Sequence, residues 1–583
     1  MGNLLIISMA IPLVGALLVM AFGQNHATAR RLALVTSLVT LLFAGRAVLD
    51  ALKGPVGWEV PWFEHSALKI SFSLGLDGLS LWMFGLTALL SITAILVSWE
   101  AIVERAAGFY ALLLFLESGM LGVFAARDII LFYICFEFTL IPLFFIIGIW
   151  GSEDRRYAAI KFFLYTLAGS LLTFLGLLAI VLWNYQHATP HVLTFSIAEL
   201  TKGLAAHPIT PSLQTWIFLA LFAGFAIKVP LFPLHTWLPL AHVQAPTAGS
   251  VILAGILLKI GTYGFLRFSL PMLPDGTVTC MPWVLGLSAA GIIYGALVAL
   301  AQHDIKRLIA YSSVSHMGFC MLGIFALEPL GYQGGVLQMV NHGLSTGGLF
   351  ALVGMIYERY HTRQIADLGG LARRLPLLAT LFLVFTFSSI GLPGLNGFAG
   401  EFLILLGMFQ RGWAEAPAAF AGQWKVVSVV SVCGVVLGAW YMLWLVQRVF
   451  FGPLKERGHD GHHDPEHGSA HPAPAVAHHH EAAHHDAGHH DGHHGHAAPL
   501  PPGPRDLSLR ELMALAPLVV FMFWIGLVPR QFLEPMSHDL AAIAAPAQQA
   551  FDRHYASAKK QVAAAPSHIR RDSVQGETAR VDR

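Results

Sequence analysis

The stretch "FAGFAIKVPLFPLHTWLPLAH", Phe222 to His242, decides the fold. It is apolar enough to lie inside a membrane, yet it carries one lysine, Lys228, followed at once by Val229-Pro230 and then by Pro233. Proline removes a backbone donor and clashes with the preceding turn, so a helix through this stretch must break beside the lysine. Broken backbone at membrane depth survives only where it is buried in protein or lines a wet cavity. Lysine and break together point to a polar interior within a helical membrane protein.

The rest of the chain agrees. Of its 583 residues, 56% are hydrophobic and 12% charged, about half the charged share of an ordinary soluble domain. The near balance of 35 Lys+Arg against 34 Asp+Glu leaves no basic field for nucleic acid and no acidic one for cationic substrates. Cys135, Cys280, Cys320 and Cys433 stand alone, without a C-x-x-C pair, so neither a disulfide framework nor an iron–sulfur or zinc site is indicated. A bilayer-spanning helix needs about 20 apolar residues, and about fourteen segments approach that length. They run from 4–22, through 74–98 as the third, 128–149 as the fifth and 213–242 as the seventh, to 376–410 as the twelfth and 511–529 as the last. The first has no positive n-region and no small-residue cleavage site, and reads as a retained span rather than a signal peptide. The expected fold is therefore an all-α polytopic membrane protein.

Span 12 is interrupted as span 7 is, at Gly391-Leu392-Pro393-Gly394. Interrupted spans in corresponding positions of two halves point to an ion path, and five spans separate these breaks. Two inverted five-helix repeats, spans 4–8 and 9–13, would place them so; two unrelated proline kinks are the plainer explanation. The expected organisation is residues 1–106 for spans 1–3, 107–270 and 271–450 for the two repeats, 451–510 for a His-rich cytoplasmic loop, and 511–583 for span 14 with a polar C-terminal tail. Arg30 and Arg31, Arg105, Arg155 and Arg156, Lys306 and Arg307, and Arg359, Arg363, Arg373 and Arg374 all fall in loops after odd-numbered spans. The positive-inside rule puts those loops in the cytoplasm and both termini on the opposite face. Lys559, Lys560, Arg570 and Arg571 in the tail run against it.

Ionisable residues inside spans carry the functional signal: Glu117 in span 4, Glu137 in span 5, Lys228 at the break of span 7, Lys259 in span 8, His316 in span 10, His342 in span 11 and Glu401 after the break of span 12. A lysine or aspartate at a helix centre costs about 2.5–3.5 kcal/mol on insertion scales. Burial disfavours the charged form of either partner and a nearby opposite charge restores it, so a buried Lys and Glu of changing separation form a proton switch. Lys228 would hold its proton with Glu137 near and release it toward Lys259 when the pair separates. His316 and His342 would carry it on, because imidazole donates and accepts near neutral pH, and Glu401 would be the exit carboxylate. A lone membrane histidine is also an ordinary packing residue, and Glu117 serves equally well as a charge tuning the field around Glu137.

The motifs "KVPLFPLHTWLPLAHVQAPTAGSVILAGILLKIGTYG" (228–264), "HDIKRLIAYSSVSHMG" (303–318) and "GLPGLNGFAGEFLIL" (391–405), with "LGLDGLSLW" (74–82) and "YICFEFTLIPLFFIIGIWG" (133–151), resemble chain M of bacterial NADH:quinone oxidoreductase, respiratory complex I. The resemblance implies fourteen helices with two broken, and one of three antiporter-like proton-pumping subunits of a membrane arm, in the cell inner (plasma) membrane. It implies Glu137 and Lys228 as the coupling pair, Lys259 as central relay and Glu401 as terminal group, with His235, His242, His316 and His342 along or beside a hydrated axis. It also implies no cofactor on this chain: NADH, FMN, iron–sulfur clusters and quinone belong to other subunits. The expected partners are the other membrane-arm subunits, neighbouring antiporter-like chains among them, and the lipid bilayer, with no nucleic acid.

Two features depart from that family. Leu240 stands where it usually has an aspartate, and residues 459–496 hold fifteen of the chain's 29 histidines, including "HHHEAAHHDAGHHDGHHGH" (478–496). Such a run with Gly, Ala and Pro between its ligands lacks fixed geometry, and reads as a solvated segment binding Zn or Ni weakly. Two other classes fit parts of the sequence. An Mrp-type Na+/H+ antiporter subunit shares the Glu/Lys pattern, and a passive scaffold shares the helices but has no use for mid-span lysines.

Overall fold

A computed structural model describes residues 2–65, 68–414, 420–455 and 503–564. The His-rich run 459–496 lies outside the described residues. Helices α1 (Asn3–Phe22) and α2 (His26–Ala51) lead into an antiparallel hairpin, β1 (Val56–His65) and β2 (Leu68–Leu76). There follow α3 (Leu81–Val97), α4 (Ala106–Ala125), α5 (Ile129–Trp150), α6 (Arg155–His187), β3 (Leu193–Thr194), α7 (Ile197–Ala206), α8 (Pro211–Lys228) and α9 (Trp237–Gln244). Next come α10 (Thr247–Met272), α11 (Pro274–Leu300), α12 (Ile305–Phe325) and α13 (Pro329–Tyr360). The last are α14 (Pro376–Ser389), α15 (Asn396–Phe409), α16 (Ala421–Phe450), α17 (Leu509–Leu527) and α18 (Arg530–Ala564).

Among the described residues, twelve helices are long and apolar enough to cross a membrane, and α3 and α14 are shorter apolar helices at the expected third and twelfth positions. The chain is a multi-pass membrane protein. Its helices start where local chemistry allows. Proline, which has no N–H to leave unpaired, stands in the first turn of α8, α11, α13 and α14. Asp128 and Asp304 cap α5 and α12 by accepting from backbone N–H groups of their first turns. Close helix contacts rest on small residues: a Cβ on Gly224 of α8 would lie 2.5 Å from the carbonyl oxygen of Gly169 in α6.

Helix breaks appear at both expected places. Helix α8 ends at Lys228 and winding resumes at Trp237; α14 ends at Ser389 and resumes at Asn396. The helices around them are graded in burial. The apolar stretches of α10 and α13 are 100% buried and that of α12 94%, against 39% for α1. A helix apolar all round belongs inside, and these three central helices carry Lys259, His342 and His316.

Two expectations need correction. The third span does not begin at 74, because residues 68–76 form strand β2, paired with β1 from Val56 opposite Leu76 to His65 opposite Leu68. The alternation Leu68-Lys69-Ile70-Ser71-Phe72-Ser73-Leu74 has the two-residue period of a strand, with Ser71 and Ser73 buried and Leu68, Ile70 and Phe72 half-buried. The segment after Pro529 is more than a polar tail. It forms the 35-residue helix α18. Phe532, Met536, Leu540, Ala547, Phe551 and Tyr555 make its buried stripe, while Glu534, His538 and Asp552 face outward. The Trp82 indole donates to the Phe532 carbonyl at 3.0 Å, the Gly78 amide donates to Asp539 at 2.6 Å, and the Gln548 amide donates to the Leu327 carbonyl at 3.0 Å. The helix thus clamps α3 to the turn before α13.

Candidate functional site

Lys259 sits fully buried in α10, between two stretches wound as π-helix, Leu253–Leu257 and Phe265–Ser269. A π turn displaces the regular carbonyl ladder, and the Lys259 ammonium takes up the Ala254 carbonyl oxygen. Its other partner is His342 of α13, with Nζ 2.7 Å from Nδ1. The His342 and His316 rings follow at 5.7 Å between centroids. His316 Nδ1 lies 3.2 Å from Oε1 of Glu401, within ion-pair range though not aligned as a hydrogen bond, and its Nε2 lies 3.2 Å from the Ser389 hydroxyl. Lys259, His342, His316 and Glu401 therefore form one buried row from α10 through α13 and α12 to α15.

The break before α15 shapes the end of this row. Gly391 has φ 74°, and a Cβ there would lie 2.9 Å from Oε2 of Glu401. Gln338 donates to Glu401 at 3.1 Å, Asn341 donates to Gln338 at 3.1 Å and to the Asn396 carbonyl at 2.7 Å, and Ser388 donates to Asn396 at 2.6 Å. Side-chain amides thus tie the start of α15 to α13.

The other predicted residues stand apart from this row. Lys228, buried at the last residue of α8, has Nζ 4.6 Å from the centroid of Phe136 and makes no ion pair with the neighbouring Glu137. One carboxylate oxygen of Glu137 is buried without a partner. Lys228 and Glu137 thus lie on adjoining elements, beyond ion-pair distance of each other. Helix α8 reaches α10 just beyond Lys259: a Cβ on Gly261 would meet the Phe225 carbonyl at 2.5 Å and Val229 at 2.7 Å. Glu117 accepts a hydrogen bond from Ser37 of α2 at 2.7 Å, with its second oxygen unpartnered. His235, in the unwound stretch before α9, lies among Phe232, Tyr294 and Tyr311. His242 of α9 stacks on Phe350 of α13 at 4.5 Å and 6°. Leu240 packs half-buried against the apolar core.

A family model described as NADH:quinone oxidoreductase/Mrp antiporter, TM, matches residues 126–423, which hold the whole of this arrangement except Glu117 and Ser37. NADH-quinone oxidoreductase subunit M of Rhodobacter capsulatus is 46% identical over 465 residues, covering 78% of this chain and 87% of the relative. The chain belongs to the subunit M family. NADH-ubiquinone oxidoreductase chain 4 of Arabidopsis thaliana is 38% identical over 531 residues, 90% of this chain and 94% of the relative. Respiratory complex I from Thermus thermophilus contains a chain superposing with a TM-score of 0.74 at 30% identity, over 93% of this chain and 99% of that one. The Mrp complex from Dietzia sp. DQ12-45-1b has a chain with a TM-score of 0.72 at 23% identity, over 94% and 99%, and shares the fold.

In this subunit M family member several polar groups escaped the sequence reading. Gln338, Asn341 and Ser345 share one face of α13 with His342 at three- and four-residue spacing, a pattern hidden by attention to ionisable residues alone. Asp77 is gripped by two arginines, Arg267 at 2.8 and 2.9 Å and Arg127 at 2.8 Å, with Arg267 also donating to Tyr263 at 3.1 Å. Burial would raise the Asp77 carboxyl, but the Arg267 and Arg127 guanidiniums hold it well below the usual carboxylate range. Lys306, taken for a loop cation, is buried in the first turn of α12. Asp304 caps that helix and carries the lysine inward with its first turn.

Proposed function

We propose that this chain is an antiporter-like membrane-arm subunit of a proton-translocating NADH:quinone oxidoreductase in the cell inner (plasma) membrane. Its proton path is Glu137, Lys228, Lys259, His342, His316 and Glu401, driven by quinone reduction elsewhere in the complex. The observation that carries this is the buried contact of Lys259 with His342 at 2.7 Å, continued through His316 to Glu401 at 3.2 Å. A cation, two imidazoles and a carboxylate in a row can pass a proton by successive donor–acceptor exchange without moving the backbone. Lys228, out of contact with Glu137, is in the releasing arrangement; approach of Glu137 returns the proton to it. Spans 4–8 and 9–13 act as the two repeats, each with its broken helix beside the path. NADH, FMN, iron–sulfur clusters and quinone bind other subunits, and neighbouring antiporter-like chains flank this one.

Identity of 46% to a chain named NADH-quinone oxidoreductase subunit M supports this function over an Mrp-type antiporter, where likeness is 23%. The test is Lys259→Met in the assembled complex. NADH-driven proton uptake by membrane vesicles is expected to fall several-fold with subunit content unchanged, and uptake at the parent rate would refute the path.

A further inference from the structure

Helices α2, α3, α13, α17 and α18 enclose a cavity of about 930 Å³, none of whose lining residues belongs to the proton path. On α2 its wall is Gly45, Val48, Leu49 and Leu52, at the three- and four-residue spacing of one helix face, with Leu41 one turn deeper. Val340 and Leu344 of α13 make its floor and are buried, whereas Leu49, Leu52 and Trp524 at its edge are exposed, so the space opens toward the outside of the bundle. Its two ends differ. Leu41, Leu89 and Pro517 line the end that lies within the spans. The other end is the rim where α2 and α17 finish and α3 and α18 begin. There the Trp82 indole donates to the Phe532 carbonyl at 3.0 Å, the Trp524 indole donates to Gln531 at 2.7 Å, and Arg530 meets Glu534 at 3.2 Å. Tryptophan gathers where hydrocarbon gives way to headgroups, which sets this rim at the membrane surface.

Water needs about two to four polar partners to settle in a cavity, and the side chains at the inner end offer none. A hydrocarbon chain instead regains dispersion contacts along such walls. Length agrees with that choice: Leu41 to Leu52 is about 16 Å of helix at about 1.5 Å per residue, close to one leaflet of a hydrocarbon core about 30 Å thick. The rim adds a cation and an anion side by side, Arg530 and Glu534, which suit a phosphate and an ammonium. We propose that the cavity seats one acyl chain of a zwitterionic phospholipid, drawn from the leaflet beside the loops that follow even-numbered spans, with its headgroup at Arg530 and Glu534. Val340 and Leu344 stand two residues either side of His342, which at about 100° per residue puts them on the opposite face of α13. The chain therefore backs the helix that carries His342 without entering the ionisable row. The site stands whether or not that row carries protons.

The experiment places the assembled complex in vesicles containing phosphatidylethanolamine with a diazirine midway along one acyl chain, irradiates them, and finds the labelled residues by peptide mass spectrometry. Label is expected at Leu41 and Leu89 several-fold above that at Leu42, which is 72% exposed on the outer side of α2. Gly45→Leu sends a side chain into the cavity, since a Cβ on Gly45 meets nothing within 4 Å, and should lower the cavity label several-fold. Gly286→Leu on α11, equally unhindered, should leave it unchanged. Label no stronger at Leu41 and Leu89 than at Leu42, or indifferent to Gly45→Leu, overturns the site. So does a cross-link there to a neighbouring subunit, or stronger labelling by a diazirine-bearing isoprenoid quinone. Equal labelling by the same acyl chain on anionic phosphatidylglycerol overturns the headgroup assignment.

Discussion

At the residue scale the molecule separates charges that hold it together from charges that work. Asp77 belongs to the first kind, since its three contacts with Arg267 and Arg127 tie the end of the hairpin to α10 and to the start of α5. Removing one member of a buried ion group leaves uncompensated charge at a cost of about 3–5 kcal/mol, an upper bound for this partly buried one, so Asp77→Asn is expected to lower the midpoint of thermal inactivation of the complex. Because the folded carboxyl is held below its unfolded value, the stabilisation is fully present above the unfolded value of about 3.9 and fades only as pH falls through the folded one. The deficit of Asp77→Asn should stay constant from pH 8 to about 5 and shrink only in stronger acid. Thermal scans of both forms across that range check it; a deficit that grows toward acid would contradict it. Glu401, which accepts a hydrogen bond from Gln338, belongs under the proposed path to the working kind. Gln338→Leu removes that hydrogen bond to a charged group, worth about 1.5–3 kcal/mol, and is expected to slow proton uptake while leaving subunit content intact.

At the element scale the breaks matter more than the helices. Those at Lys228 and Ser389 were legible in sequence because Pro230 and Pro393 cannot continue a helix, and the resulting positions of Lys228 and Glu401 followed. Hairpin β1–β2 and helix α18 were not, for a shared reason: a search for long apolar runs passes over Lys69-Ile70-Ser71-Phe72, whose period is two, and over α18, whose apolar residues occupy one stripe only. The amide cluster was missed because Gln338, Asn341 and Asn396 bear no charge, and Lys306 because a cation near a loop reads as exposed. What no sequence gives is contact: the row from Lys259 to Glu401 joins residues 142 positions apart. Close approach of α8 to α10 yields a prediction of its own. Gly261→Ala must displace the Phe225 carbonyl or Val229, an overpacking that costs about 1–3 kcal/mol and moves Lys228 relative to Lys259. Uptake should fall several-fold, whereas Gly286→Ala, whose new Cβ meets nothing within 4 Å, should leave it unchanged.

At the scale of the whole molecule, less buried apolar helices surround the three central helices that carry Lys259, His342 and His316, with Glu401 on the adjoining α15, and the helix α18 runs from the turn at Gly78 to that at Leu327. The central claim is that Lys228 and Glu137, adjoining but apart, are the switch that loads this row. It is tested most directly by redox-driven proton uptake in membrane vesicles carrying Lys228→Ala or Glu137→Ala at unchanged subunit content. Each variant is expected to lose most of its uptake while the peripheral NADH-oxidising reaction with an artificial acceptor persists; full pumping in both variants would contradict the account.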